Sequence, residues 1–148
     1  MNRIRHVFLY GMLLALAGPA LAQNSYLCAE DMITGFSFDR GAQRWQRAEF
    51  RAEGKYVVAR ASEPSRKWEV KETGSSIPVA VCEKDFDEDG KIRCVGIGKD
   101  FLFSRKSMRF LTTYTVGYWN ENALRAIVPG RKEGDDTPVM AIGRCTAL

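Results

Sequence analysis

Hydrophobic positions in this chain recur two apart over short stretches. Phe36 and Phe38, Tyr56 and Val58, Trp68 and Val70, Val79 and Val81, and Phe101 and Phe103 form such pairs, a spacing that puts both side chains on one face of a strand. The run Phe110, Thr112, Tyr114, Val116, Tyr118 continues the alternation, with β-branched and aromatic residues that suit a pleated surface. Turn-forming clusters separate these segments: Asp39-Arg40-Gly41, Glu53-Gly54, Glu63-Pro64-Ser65, Thr73-Gly74-Ser75-Ser76, Asp87-Glu88-Asp89-Gly90 and Gly134-Asp135-Asp136. The pattern predicts no long helix. Residues 120 to 128 read as one short helical turn, capped by Asn120 or Asn122 and ended by Pro129-Gly130.

Roughly eight to ten short strands joined by tight turns imply an all-β domain. A small antiparallel barrel is preferred over the alternative, a β-sandwich, because closure removes exposed strand edges and brings the first and last strands together. Phe36, Phe38, Phe101, Phe103 and Phe110 are expected in its core. An internal echo supports two pseudo-repeated β-units: Phe36, Phe38, Arg40, Arg44 and Trp45 match Phe101, Phe103, Arg105, Arg109 and Phe110 at an offset of 65. Two unrelated aromatic hairpins with basic turns would look the same.

The N-terminus changes the picture of charge and compartment. Arg3 and Arg5, the apolar run Val7 to Ala17 and the Ala20-Leu21-Ala22 site form an export signal, cleaved after Ala22. The apolar run is shorter than the roughly 20 residues that span a bilayer, so no stable membrane anchor is expected. Residues 23–148 then form a single β-domain of ordinary size. Cleavage removes two of the 22 Lys and Arg against 18 Asp and Glu, lowering the formal net charge from +4 to +2. That balance, with acids and bases interspersed, excludes the basic stripe of a nucleic-acid binder. The compartment expected is the periplasm or the exterior.

Cys28, Cys82, Cys94 and Cys145 are an even set in an exported chain, which predicts two disulfides. Cys82 and Cys94 flank the turn Asp85 to Gly90 and could face each other across a hairpin, while barrel closure would join Cys28 to Cys145. The duplicated-unit reading favours Cys28 with Cys82 and Cys94 with Cys145. Cleavage also removes His6, the single histidine. Without C-x-x-C spacing or histidine the common zinc patterns are absent, and so are the Ser-His-Asp triad and the Cys-His pair.

Three candidate sites remain. Asp85, Asp87 and Asp89 in the run Asp85 to Gly90 could converge on calcium around a sharp glycine turn, although a plain acidic turn is the commoner explanation and Gly96 stands where an EF-hand loop carries its bidentate glutamate. No other cofactor is expected. Arg40, Arg44, Arg105 and Arg109 could approach across a pseudo-twofold and hold an anionic group; solvated hairpin ends are the plainer reading. Trp45, Trp68, Trp119, Tyr114 and Tyr118 could line a barrel mouth that holds a small ligand.

Tyr26-Leu27-Cys28, Thr34-Gly35-Phe36, Gly54-Lys55-Tyr56, Arg109-Phe110, Gly117-Tyr118-Trp119 and Ile142-Gly143-Arg144-Cys145 resemble a group of small uncharacterised secreted bacterial proteins. That resemblance implies a bacterial envelope setting and no particular activity. The Tyr26-x-Cys28 start, size and β-rich pattern are also similar to periplasmic inhibitors of c-type lysozyme, but the Ser-Gly-x-x-Tyr motif of that family is missing, so no inhibitory residues carry over.

The expectation is therefore an exported, monomeric, non-enzymatic binding module whose partner is an envelope protein or a small ligand. One alternative is an inhibitor or immunity-type protein that blocks a hydrolase such as lysozyme through the charged loop Arg131 to Asp136. Another is a glycan hydrolase working with two carboxylates, which needs a cleft with two facing acids.

Overall fold

The structure is a computed structural model that describes residues 25–119 and 129–148. The predicted signal at residues 1–22 and the predicted helical turn at 120–128 lie outside the described residues. Nine strands follow in chain order: β1 (Ser25–Asp39), β2 (Arg44–Phe50), β3 (Lys55–Arg60), β4 (Trp68–Glu72), β5 (Pro78–Cys82), β6 (Lys91–Val95), β7 (Lys99–Ser104), β8 (Arg109–Tyr114) and β9 (Val139–Ala147). Consecutive neighbours from β3 to β9 pair antiparallel, and β1 joins β3 on one side and β9 on the other. Eight strands thus close an antiparallel barrel, and the sandwich alternative is set aside. The ninth, β2, pairs only with the far half of β1, so this hairpin extends beyond the ring.

A β-bulge in β1 decides which residues face inward. Cys28 lies opposite Cys145, but the register slips between Glu30 and Met32, leaving Asp31 as an extra residue, and Ile33 then lies opposite Ala141. One inserted residue reverses the side-chain alternation. Phe36 and Phe38 therefore leave the core to which their spacing assigned them. Phe36 is 55% exposed, and Phe38 is half-buried against Trp45 and the backbone of Gly134 outside the ring. Phe101, Phe103 and Phe110 are buried as expected. The long strand expected through Tyr118 instead ends at Tyr114. Gly117 turns the chain at φ 115°, and Val116 folds back to a buried position against Gly98.

The echoed hairpins share a real local geometry. Phe38 pairs with Trp45 and Phe103 with Phe110, and each four-residue loop ends on a left-handed non-glycine residue, Gln43 at φ 52° and Met108 at φ 55°. The likeness stops there, because β7 and β8 are staves of the barrel while the tip of β1 and β2 lies outside it.

Both disulfides follow the barrel-closure pairing, Cys28 with Cys145 and Cys82 with Cys94. The first ties β1 to β9 where the ring closes. The second spans the thinnest seam, since β5 and β6 share a single paired position, Val81 with Val95. Two disulfides are the state expected in an oxidising compartment outside the cytoplasm. Among the described residues no helix is long and apolar enough to cross a membrane.

Candidate binding site at the barrel mouth

Inward side chains change in size along the barrel. At one end Tyr26, Trp68 and Phe103 fill the interior, and Phe86 from the β5–β6 loop packs against all three, with ring centroids 6.1, 5.0 and 5.8 Å away. Asp85 holds this plug in place. Its carboxylate accepts from Trp68 Nε1 (2.8 Å), the Phe86 N–H (2.8 Å) and Arg60 (2.7 Å). Burial opposes ionisation of Asp85, but these hydrogen bonds and the Arg60 charge together outweigh it and hold the carboxyl down to about 2. Arg60 covers the Trp68 ring and Arg105 the Phe86 ring, at 4.4 and 4.9 Å, contacts that favour a cation over an aromatic face. This end is sealed.

Toward the other end the inward residues become small: Ala80 on β5, Thr112 on β8 and Ala141 on β9. The space they leave belongs to a cavity of about 860 Å³, bordered by Ile33, Tyr56, Pro78, Ala80, Thr112, Tyr114, Val139 and Ala141, with Glu30, Arg66 and Lys99 as its charged neighbours. Its lining also includes Val81 and Val95, so it reaches the thin β5–β6 seam. Volume and lining fall in the range of small-molecule sites.

Most polar groups at this mouth have a defined partner, while Asp136 Oδ2 is buried without a hydrogen bond among the described residues. Glu30 accepts from the Gly54 N–H and from Tyr56 Oη, both at 2.9 Å. A Cβ at Gly54 would fall 2.4 Å from the Glu30 carboxyl, so a larger residue there would displace this carboxylate. Burial, the bond to Glu30 and the nearby charges of Glu30 and Glu72 push the Tyr56 phenol well above its ordinary value. Lys99 Nζ bonds to Glu72 (3.2 Å) and sits 5.1 Å from the Tyr56 ring. Thr112 donates to the Asp100 carbonyl (2.8 Å) and Tyr114 to Asp136 (3.2 Å). Burial and the Asp136 charge raise the Tyr114 phenol, against Arg131. Compared with protein-family models, curated proteins and solved structures, the chain matches none of them.

The sites expected from sequence are distributed otherwise. Asp85 braces the plug, Asp87 accepts the Lys91 N–H (2.7 Å), and Asp89 meets Lys91 and Lys106. The three carboxylates are thus engaged by separate protein donors, and no group placed to hold a metal occurs among the described residues. Arg40 pairs with Asp135 beyond the mouth, while Arg105 lies at the plug. Arg44 and Arg109 open β2 and β8 at opposite ends of the barrel, so the four guanidiniums do not meet. Of the aromatic residues, Tyr114 lines the mouth and Trp68 is core. Trp45 and Tyr118 pack together outside the ring, and Trp119 is exposed.

The charged loop at 131–136 is fastened rather than free. Glu133 accepts from Trp45 Nε1 (2.9 Å), Asp135 from the Lys132 N–H (2.7 Å) and Arg40, and Asp136 pairs with Arg131. The bond from Lys132 and the Arg40 guanidinium hold Asp135 below the usual carboxylate range. Glu30, Tyr56, Lys99 and Thr112 were not singled out by sequence reasoning. A signal existed: each lies two residues from a core residue or, like Tyr56, is one itself, so alternation already turned it inward.

Proposed function

We propose that the chain is an exported carrier or sensor barrel, of periplasmic or secreted location, that holds a small, mostly apolar ligand in its open mouth without chemically altering it. One observation carries this reading. An aromatic plug seals one end of the barrel, while at the other a cavity of about 860 Å³ opens beside Ala80, Thr112 and Ala141 and runs out across the β5–β6 seam past Val81, Val95 and Ile97. An open concavity of this size with a mostly apolar lining falls in the range of small-molecule sites. The two carboxylates at the mouth serve as acceptors for Gly54, Tyr56 and Lys99, a structural use rather than the free acid-and-base pair of a glycosidase. Thermal melts with short-chain hexyl compounds test the reading, since a ligand that binds only the folded state raises the midpoint. The rise is expected in the native protein and is lost in Val139→Trp or Ala141→Leu, which narrow the mouth at its rim and floor. No rise with any hexyl probe, or an undiminished rise in both variants, contradicts it.

A further inference from the structure

We infer that the mouth selects apolar molecules that end in a carboxylate, anchored by the Lys99 ammonium. The inference rests on the reading of the mouth as a ligand site and names the group its ligand carries. Lys99 alternates with the buried Phe101 and Phe103 along β7, so its side chain turns into the barrel, where it borders the cavity. That side chain is only 17% exposed. Two contacts fix the ammonium: Nζ bonds to Glu72 at 3.2 Å and lies 5.1 Å from the centre of the Tyr56 ring. Glu72 belongs to β4, so this bond reaches past the two intervening strands, β5 and β6. An ammonium carries three N–H donors. Among the described residues one of them is used, by Glu72.

The neutral groups on the border leave donation to the cations. Tyr56, Thr112 and Tyr114 give their hydroxyl protons to Glu30, the Asp100 carbonyl and Asp136. Arg66, the second cation there, pairs with Glu63 through Nε at 3.3 Å and keeps the donors of its terminal nitrogens. Two acids stand against an incoming carboxylate, and neither cancels this. Glu30 is the single carboxylate on the border, and its oxygens already accept from Gly54 and Tyr56. Glu72 lies off the border and is half exposed, where water weakens its field. A ligand carboxylate on Lys99 gains a charge-assisted hydrogen bond, roughly twice as strong as a neutral one. The apolar body then lies on Ile33, Ala80, Val139 and Ala141.

Calorimetric titration of the folded protein with hexanoate, hexanol and hexylamine at neutral pH tests the inference. Hexanoate is expected to bind about tenfold more tightly than hexanol, with hexylammonium weakest. In Lys99→Met the hexanoate advantage disappears while hexanol, which reports an intact cavity, still binds. In Glu72→Gln, which removes the rival acceptor, hexanoate binds more tightly than in the native protein. If Lys99→Met fails to bind hexanol as well, Glu72→Gln decides: tighter hexanoate supports the anchor, and unchanged or weaker hexanoate overturns it. Hexanoate no tighter than hexanol, or undiminished in Lys99→Met, overturns the anchor and leaves the ligand-site reading standing. Binding by none of the three overturns both.

Discussion

Asp85 shows how one side chain can be legible as chemistry and still have a different role. Its acidic neighbours suggested calcium, yet its two oxygens are used by Trp68, Phe86 and Arg60, which fix the plug. Its carboxyl is depressed from 3.8 to about 2 in the folded protein. A depressed folded value contributes stability above the unfolded value, and this contribution is lost as pH falls through the folded one. The native protein is therefore expected to melt above Asp85→Asn by a margin that is full above roughly pH 5 and shrinks between 3.8 and about 2. Melting curves of both proteins across that window measure it. A margin that stays constant down to the acid end would mean that Asp85 braces nothing. At the same scale Asp31 was invisible in the sequence. Nothing in its identity announces a bulge, because the extra residue is defined by the partner strand.

At the scale of strands, the thinnest place in the ring carries its own staple. Elsewhere neighbouring strands share four or more paired positions, but β5 and β6 share one. Cys82 and Cys94 sit beside that pair. Their bond closes a short loop of sequence separation 12, against 117 for Cys28 and Cys145, and chain-entropy arguments give about 3 kcal/mol for the short loop and nearly 5 for the long one. Replacing Cys82 and Cys94 by alanine is expected to cost about 3 kcal/mol in denaturant unfolding and to speed amide exchange at Val81 and Val95 first. Unchanged exchange at this seam, with the loss spread evenly over the barrel, contradicts the local role. The strand segments themselves were readable from alternation and turn residues, and so was the preferred cysteine pairing, because barrel closure brings Cys28 to Cys145 and the β5–β6 hairpin sets Cys82 against Cys94. The fate of Phe36 and Phe38 was not, since alternation fixes which residues share a face but not which face turns inward.

For the whole molecule, the register lays out two surfaces with opposite character. Inside, the aromatic plug gives way toward the mouth to alanine and threonine beside Tyr56 and Tyr114. Outside, Leu102, Leu111, Ile142 and Met32 lie in register across β7, β8, β9 and β1, and three of the four are well exposed. The all-β class and the two disulfides could be read from the chain. The cavity could not, because it depends on which small residues meet across the ring, and that follows from register rather than composition. The measurement that separates the inner site from the outer surface is a methyl NMR titration with hexanol. The account predicts shifts at Ile33, Ala80, Val139 and Ala141, while Val58 and Ile92 near the plug stay still. Shifts centred instead on Met32, Leu102 and Ile142, or none at the mouth at saturating probe, would contradict it.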